Sequence, residues 1–482
     1  MNAEEPLLTG AHSHEQYNSL GHKPSSQKPD FDITPKSELR FILRSSGPLV
    51  ITFFLQYLLS VTTIFSAGKL GPRELAAASL AVCTFNITGL AVYQGMATSL
   101  DSFCSQAYGS GKLHNVGLYF QRCSMMMMAI TLFPLVFIWW YSGTLLQHLV
   151  PDPELVHLTQ TYLRINAIGA PGLILFETSK RFLQAQHCFN AGTWVLLIAT
   201  PLNFVLNWIL VWHPTYGLGF SGAPLAVSII YWFISFMMLA YVLFVDGKKC
   251  WGGLQLYKAC KNWSPMLKLA LPGVVMVEAE YLAFEILTIF AASFGTNALA
   301  AQSIASNAGS LAFQLPFAVA VAISTRIGHF VGMKHIYAAK LVTRITVILS
   351  AYIAAINFSL VFFGRHSLGK LFTSSQDVLK ISDKILILVA INQIADSFNV
   401  LGAGILRGQG RQSIGSILNM ISYYVIALPI GYGLAFKLEY GLFGLWTGLI
   451  LGVLFLAITE FICMCRSDWP RILVESYGRH DN

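Results

Sequence analysis

Three glutamates, Glu278, Glu280 and Glu285, fall in the stretch VEAEYLAFEI (277–286), inside an apolar run from 266 to 294 that is long enough to cross a bilayer. A charged side chain at mid-bilayer costs on the order of 3 kcal/mol even on the lenient insertion scale, so these carboxylates must face a bundle interior or a wet cavity. There, desolvation and any neighbouring like charge oppose ionisation, and a carboxylic acid can load and unload a proton near neutral pH. A cationic solute would stabilise the anion and displace the proton; protonation from the other side would eject the solute. Competition of that kind for one site is antiport. On an ideal helix Glu278 and Glu285 share a face, whereas Glu280 points about 140° away from Glu285. The three reach one cavity together only if the helix bends. Pro272 stands too near the start of the span to bend it at Glu280, and the next proline is Pro316.

The elements that hold these residues are membrane helices. Of 482 residues, 55% are hydrophobic and 11% charged, more apolar surface than a soluble chain of this length can bury. Apolar windows near 42–66, 76–100, 119–141, 157–178, 190–212, 219–245, 266–294, 299–323, 340–363, 382–405, 413–436 and 440–464 predict about a dozen spans. Backbone satisfaction in lipid makes this an all-α bundle. Residues 1–39 are polar, lack an apolar segment behind Met1, and are expected to form a disordered cytosolic tail without a cleaved leader. Counted by side, Lys and Arg number 23 on the N-terminal side and 8 on the other, which places both termini in the cytosol and accounts for the net charge of +8 without nucleic acid. The eight cysteines suggest no disulfide framework, and the sequons at Asn86, Asn262 and Asn357 fall in spans or a cytosolic loop.

The chain also repeats itself. A single offset sets LGPRELAAASLA (70–81) over FGTNALAAQSIA (294–305), Pro48 over Pro272 and Tyr216 over Tyr440; with a one-residue slip, 182–192 lies over 405–415. Two parallel six-span halves follow, an N-lobe at 40–245 and a C-lobe at 266–465, joined by a basic cytosolic loop at 246–265 and followed by a cytosolic tail at 466–482. A two-lobed carrier around a central cavity is the expected architecture.

The segment DSFCSQAYGSGKLHNVGLYFQR (101–122), LAAQSIA (299–305), the Glu280/Glu285 pair and ADSFNVLGAGILRGQGRQ (395–412) resemble the multidrug and toxic compound extrusion family, especially its eukaryotic branch, in order and across both halves. That resemblance implies export of organic, often cationic, solutes in exchange for protons, with sodium the lesser alternative, by twelve helices and no cofactor. It puts Glu280 and Glu285 at the family's seventh-helix acidic positions, Asp396 at the tenth-helix one and Asp101 at the end of the second span. Asn307 stands where animal relatives carry another glutamate. The expected order of importance is Glu285 paired with Asp396 on a facing helix, then Glu280, then Glu278. Asp101 is expected to cap its loop and pair with Lys112, and Gln56 and Asn86 to hydrogen-bond between helices. Tyr281, with Tyr57, Tyr93, Phe313 and Phe398, offers aromatic faces to a cation.

Other chemistries fit poorly. GSGK (109–112) has Gln106 where a phosphate loop needs glycine, His114, His329 and His335 have no metal-ligand spacing, and no nucleophile stands at useful distance from a base. The chain is therefore expected to be no enzyme, to hold no metal and to work as a monomer on small organic solutes in a lipid bilayer. A flippase for amphipathic or lipid-linked substrates would show basic residues in the span interiors, and a non-transporting receptor or scaffold would have no use for carboxylates there. EEPLL (4–8) resembles a sorting signal and leans the expected location toward a vacuolar rather than the plasma membrane.

Overall fold

The structure, a computed structural model, describes residues 33–148, 152–373 and 375–480; most of the expected tail, EEPLL included, lies outside them. Among the described residues there are twelve long helices and no strand. They are α1 (Pro35–Gly68), α2 (Pro72–Gly109), α3 (Leu113–Trp140), α4 (Pro153–Ala185), α5 (Ala191–Trp212), α6 (Gly219–Phe244), α7 (Ser264–Ala292), α8 (Thr296–Gly332), α9 (Ile336–Phe372), α10 (Gln376–Gln409), α11 (Gln412–Lys437) and α12 (Gly441–Cys465), followed by a shorter α13 (Trp469–His480). Every predicted span has its helix. Ten of the twelve are long and apolar enough to cross a membrane. The other two, α4 and α7, are interrupted by charge: Glu177, Lys180 and Arg181 in one, the three glutamates in the other.

Local chemistry sets the ends. Thr34 caps α1 by accepting from the Ser37 backbone N–H, with Pro35 in the first turn, so the helix starts ahead of the expected lobe boundary at 40. Gly71 and Gly295, which the repeat offset sets over each other, precede α2 and α8. The one-residue slip places His187 over Gly410, and both adopt left-handed backbone, at φ 65° and 75°, just past the ends of α4 and α10. Single π-helical turns interrupt α2 at Asn86–Ala91 and α11 at Ile421–Ala427, which sequence periodicity did not disclose.

Each lobe has its own apolar core. One cluster runs through α1 to α6 and takes in Met266, Leu269 and Ala270 from the start of α7. A second begins at Ala279 and runs through the helices of the second half. Helix α7 thus passes from one core to the other at the first two glutamates. A third cluster packs Trp469, Ile472 and Leu473 of α13 against α8, α9 and α10, so part of the region expected to be a plain tail is a docked amphipathic helix. The loop between the lobes is likewise anchored: Gln121 of α3 donates to the Gly253 carbonyl at 2.9 Å and accepts from the Gln255 N–H at 2.8 Å.

Candidate functional site

Helix α7 stays one continuous helix through its glutamates, and each carboxylate goes where its face points. Met276, Ala283 and Leu287 are buried. Glu280 is four positions after the first, three before the second and seven before the third, so it shares that face. Asp396 of α10, only 6% exposed, lies within electrostatic reach of it. Tyr423, buried in the π-helical turn of α11, lies within electrostatic reach of both. Glu285 turns the other way, across to the N-lobe, where it accepts a hydrogen bond from the Cys83 thiol of α2 at 3.0 Å. Glu278 is half-buried and faces Tyr424 of α11. The expected pairing of Glu285 with Asp396 is therefore corrected: without a bend, the residue that reaches α10 is Glu280.

At the repeat offset, Glu280-Tyr281 lies over Gln56-Tyr57. Gln56 of α1 donates to Glu177 of α4 at 2.8 Å, and Lys180 donates at 2.9 Å to both the Gln56 carbonyl and the Glu177 carboxylate. The Lys180 ammonium also sits 4.7 Å over the Phe176 ring. The N-lobe position equivalent to the acid pair thus holds one carboxylate already compensated by a buried lysine. Tyr57 donates to Asn307 Oδ1 at 2.8 Å, joining α1 to α8. Ser303, Asn307, Ser310 and Gln314 follow at helical spacing on α8, and a Cβ at Gly309 would meet nothing within 4 Å. This polar stripe of a membrane helix is at least partly exposed along its length. Tyr281, Phe313 and Phe398 are half-buried. Tyr93 is completely buried with its hydroxyl against Thr131 at 2.8 Å, so it serves packing and offers no face to a solute.

At the end where α1 begins, here called the base, the lobes are locked together. Asp101 of α2 is 3% exposed and accepts from Arg181 of α4 at 3.0 and 3.3 Å, with Arg407 of α10 at 3.9 Å from the opposite lobe. The expected Lys112 partner lies elsewhere, its ammonium over Tyr477 of α13. Ser102 donates to the Arg407 carbonyl at 2.5 Å and Gln106 to the Gly408 carbonyl at 3.0 Å. Glu38 of α1 accepts from Arg326 of α8 at 2.6 and 2.7 Å. Close backbone approach needs glycine here: a Cβ at Gly332 would lie 2.1 Å from the Gln106 carbonyl oxygen. His329, expected at the surface, is fully buried in the same seam, 2.8 Å from the Ala185 carbonyl and 4.4 Å ring to ring from His187.

Lys180, Arg181 and Arg407 had been counted as loop charges by sequence position, yet each is at most 5% exposed. Their carboxylate partners explain how a base can sit there: an ion pair inside the bundle replaces hydration. The expectation that span interiors hold carboxylates alone is corrected accordingly. Glu177 and Glu460, both fully buried, were not singled out; the signal was available, since each is an acid within an apolar span. Among the described residues all eight cysteines are free, and no three metal-binding side chains gather.

The sequence model of the MatE family matches residues 48–209 and 272–433, two blocks related by the same offset as the internal repeat. An uncharacterized transporter of Saccharomyces cerevisiae is 41% identical over 441 residues, which is 92% of this chain and 63% of that protein; the chain thus spans less than two thirds of that relative's length. Multidrug and toxin extrusion protein 2 of Mus musculus is 30% identical over 447 residues, covering 92% of this chain and 77% of that protein. Among solved structures, the eukaryotic MATE transporter AtDTX14 superposes with a TM-score of 0.86 at 23% identity, over 92% of this chain and 99% of that one. The Vibrio cholerae MATE transporter VcmN in the bent form superposes with a TM-score of 0.78 at 19% identity, over 92% and 99%.

Proposed function

The chain belongs to the MatE family, and from that premise we propose that it is a proton-coupled antiporter that removes small organic, often cationic, solutes from the cytosol. The observation that carries the reading is the Glu280–Asp396 pair. Two carboxyl groups within electrostatic reach of each other on membrane helices, one half-buried and one buried, form a site at which a proton and a cation would compete. The equivalent N-lobe position has Gln56 and a Glu177 already paired with Lys180. On this reading the proton site belongs to the C-lobe, and the polar stripe of α8 beside Tyr57 is the surface a solute would meet.

Lys and Arg excess on the base side supports a cytosolic base and cytosolic termini. With the base locked, the described state is the one closed toward the cytosol, and transport requires the lobes to rock until Asp101, Glu38 and His329 lose their partners across the seam. A vacuolar or plasma membrane suits export in this direction. The flippase alternative is disfavoured because Lys180 and Arg181, bases inside the bundle, are tied to carboxylates at 2.9 and 3.0 Å.

The test is uptake of a fluorescent organic cation into proteoliposomes under an imposed pH gradient. Wild type is expected to accumulate the cation, and Asp396→Asn to reduce that uptake at least about tenfold while Glu285→Gln, outside the pair, has the smaller effect. Uptake driven equally by sodium and indifferent to pH would overturn proton coupling. Undiminished uptake by Asp396→Asn would overturn the site.

A further inference from the structure

Glu460 of α12 is 0% exposed, and neither carboxylate oxygen has a hydrogen-bond partner among the described residues. Helix α10 is shaped around it: a Cβ at Gly402 would come 2.8 Å from Glu460 Oε2. Arg407 of α10 and Tyr423 of α11 lie within electrostatic reach of it, and Tyr423 is also within reach of Glu280 of α7 and Asp396 of α10. Arg407 in turn is incompletely satisfied. Its Nε and Nη2 make no hydrogen bond, and its approach to Asp101, at 3.9 Å, is shared with the closer Arg181.

Arg407 thus stands between a carboxylate of the other lobe and one of its own. When the base opens, Asp101 leaves with Arg181, its partner within the N-lobe, and a guanidinium left buried without counter-charge is untenable. Glu460, on the helix packed against α10 and itself without a donor, is the carboxylate of the same lobe whose charge acts on Arg407. While the base is shut, a buried carboxylate with no donor is equally untenable, so Glu460 is then a neutral acid.

We propose that Glu460 is the alternate partner of Arg407 and ties opening of the base to release of a proton. On opening, the Glu460 O–H bond breaks, the proton passes to water entering the base, and the carboxylate accepts from Arg407 Nε and Nη2, which make no hydrogen bond while the base is shut and lose the nearby Asp101 charge as it leaves. On closing, Arg407 returns to Asp101 and Glu460 takes a proton back from that water. Alkaline cytosol therefore favours the open base. Glu460 acts here as a positioning residue, and the inference rests on the antiport reading only in taking the base as the moving end.

The experiment measures the distance across the base by spin labels on L254C and Y337C, both at exposed sites outside the seam, in proteoliposomes between about pH 7 and about pH 9, above the range in which His187 titrates. In wild type the open fraction is expected to rise about tenfold over that interval. Glu460→Gln should abolish the rise and hold the open fraction at or below the wild-type value at the lower pH, whereas Glu460→Asp should preserve it. Arg407→Gln, which removes the charge that needs the carboxylate, should also abolish the pH response and provides a second reading if Glu460→Gln does not fold. A wild-type response in either Glu460→Gln or Arg407→Gln overturns the proposal. Cation uptake in the same vesicles separates the two claims: pH-driven uptake with an intact Glu460→Gln response sinks this inference alone, and a flattened response without pH-driven uptake sinks the antiport reading alone.

Discussion

Glu38→Gln is the cleanest perturbation of the lobe contact, because both hydrogen bonds it weakens cross from α1 to α8 and none lies within a lobe. The Glu38 side chain is 2% exposed and that of Arg326 16%. Removing one partner of a buried ion pair costs about 3–5 kcal/mol, mainly through the charge left behind. Arg326 is not left bare, however: its guanidinium lies 4.4 Å from the rings of both Phe41 and Phe330, and it keeps some contact with water. Cation–π attraction retains roughly 1–2 kcal/mol of that loss, so about 2 kcal/mol remains as weakening of the closed base. Two kilocalories correspond to roughly a thirtyfold shift in the equilibrium between closed and open base. The assay is the spin-label distance across the base, with thermal unfolding in detergent as a second readout. A population shift of about that size, reduced by more than half when Arg326→Gln is added, is the expected double-mutant result. An unchanged distance distribution together with a lowered unfolding temperature would refute the reasoning, since it would make the pair a support of the fold instead of a contact between moving lobes.

Two further predictions concern charges the bundle encloses. Lys180→Met keeps the bulk of the side chain but strips Glu177 of its counter-charge, and thermal unfolding in detergent is expected to show a loss of about 3 kcal/mol that Glu177→Gln in the same chain largely restores. At His187, in the α4–α5 loop, burial and then the nearby Arg326 charge push the imidazole from its ordinary value of 6.5 down to about 4. The folded, closed seam thus binds fewer protons than the opened one; its stability is full above about pH 6.5 and declines as pH falls toward about 4, by up to about 3 kcal/mol. His187→Phe should flatten the fall in unfolding temperature between those values, and a variant with the wild-type pH slope would rule this histidine out.

Architecture was readable because it rests on repetition and bulk polarity. Twelve apolar windows became twelve helices, and the offset seen at LAAASLA and LAAQSIA reappears in the paired glycines Gly71 and Gly295 that precede α2 and α8. What escaped were features in which charge and helix coincide. Lys180 and Arg181 lie near the end of an apolar window, and adjacency to a predicted loop is indistinguishable from membership of one until the neighbouring helices are placed. Asp101 has its partners far along the chain, at Arg181 and Arg407, so only the packing of α2 against α4 and α10 can reveal them. The docked α13 was hidden because its apolar face is short and discontinuous in sequence.

The acid pair illustrates how far helical periodicity carries. The 100° rule separated Glu280 from Glu278 and Glu285, but the expectation set the face of Glu285, not that of Glu280, against Asp396. The answer was latent in the small and apolar residues around them. Met276, Ala283 and Leu287 share the face of Glu280 and mark it as the one packed against other helices, whereas Glu285 falls on the side turned to α2. The repeat adds the rest, because the same offset that sets Gln56 under Glu280 shows one lobe keeping an amide where the other keeps an acid. Gln56 cannot ionise, and its neighbour Glu177 is matched by Lys180, whereas among the described residues no base forms an ion pair with Glu280 or Asp396. In two halves built on one plan, the proposed exchange of a proton for a cation is best served by the half whose acids lack a matching base.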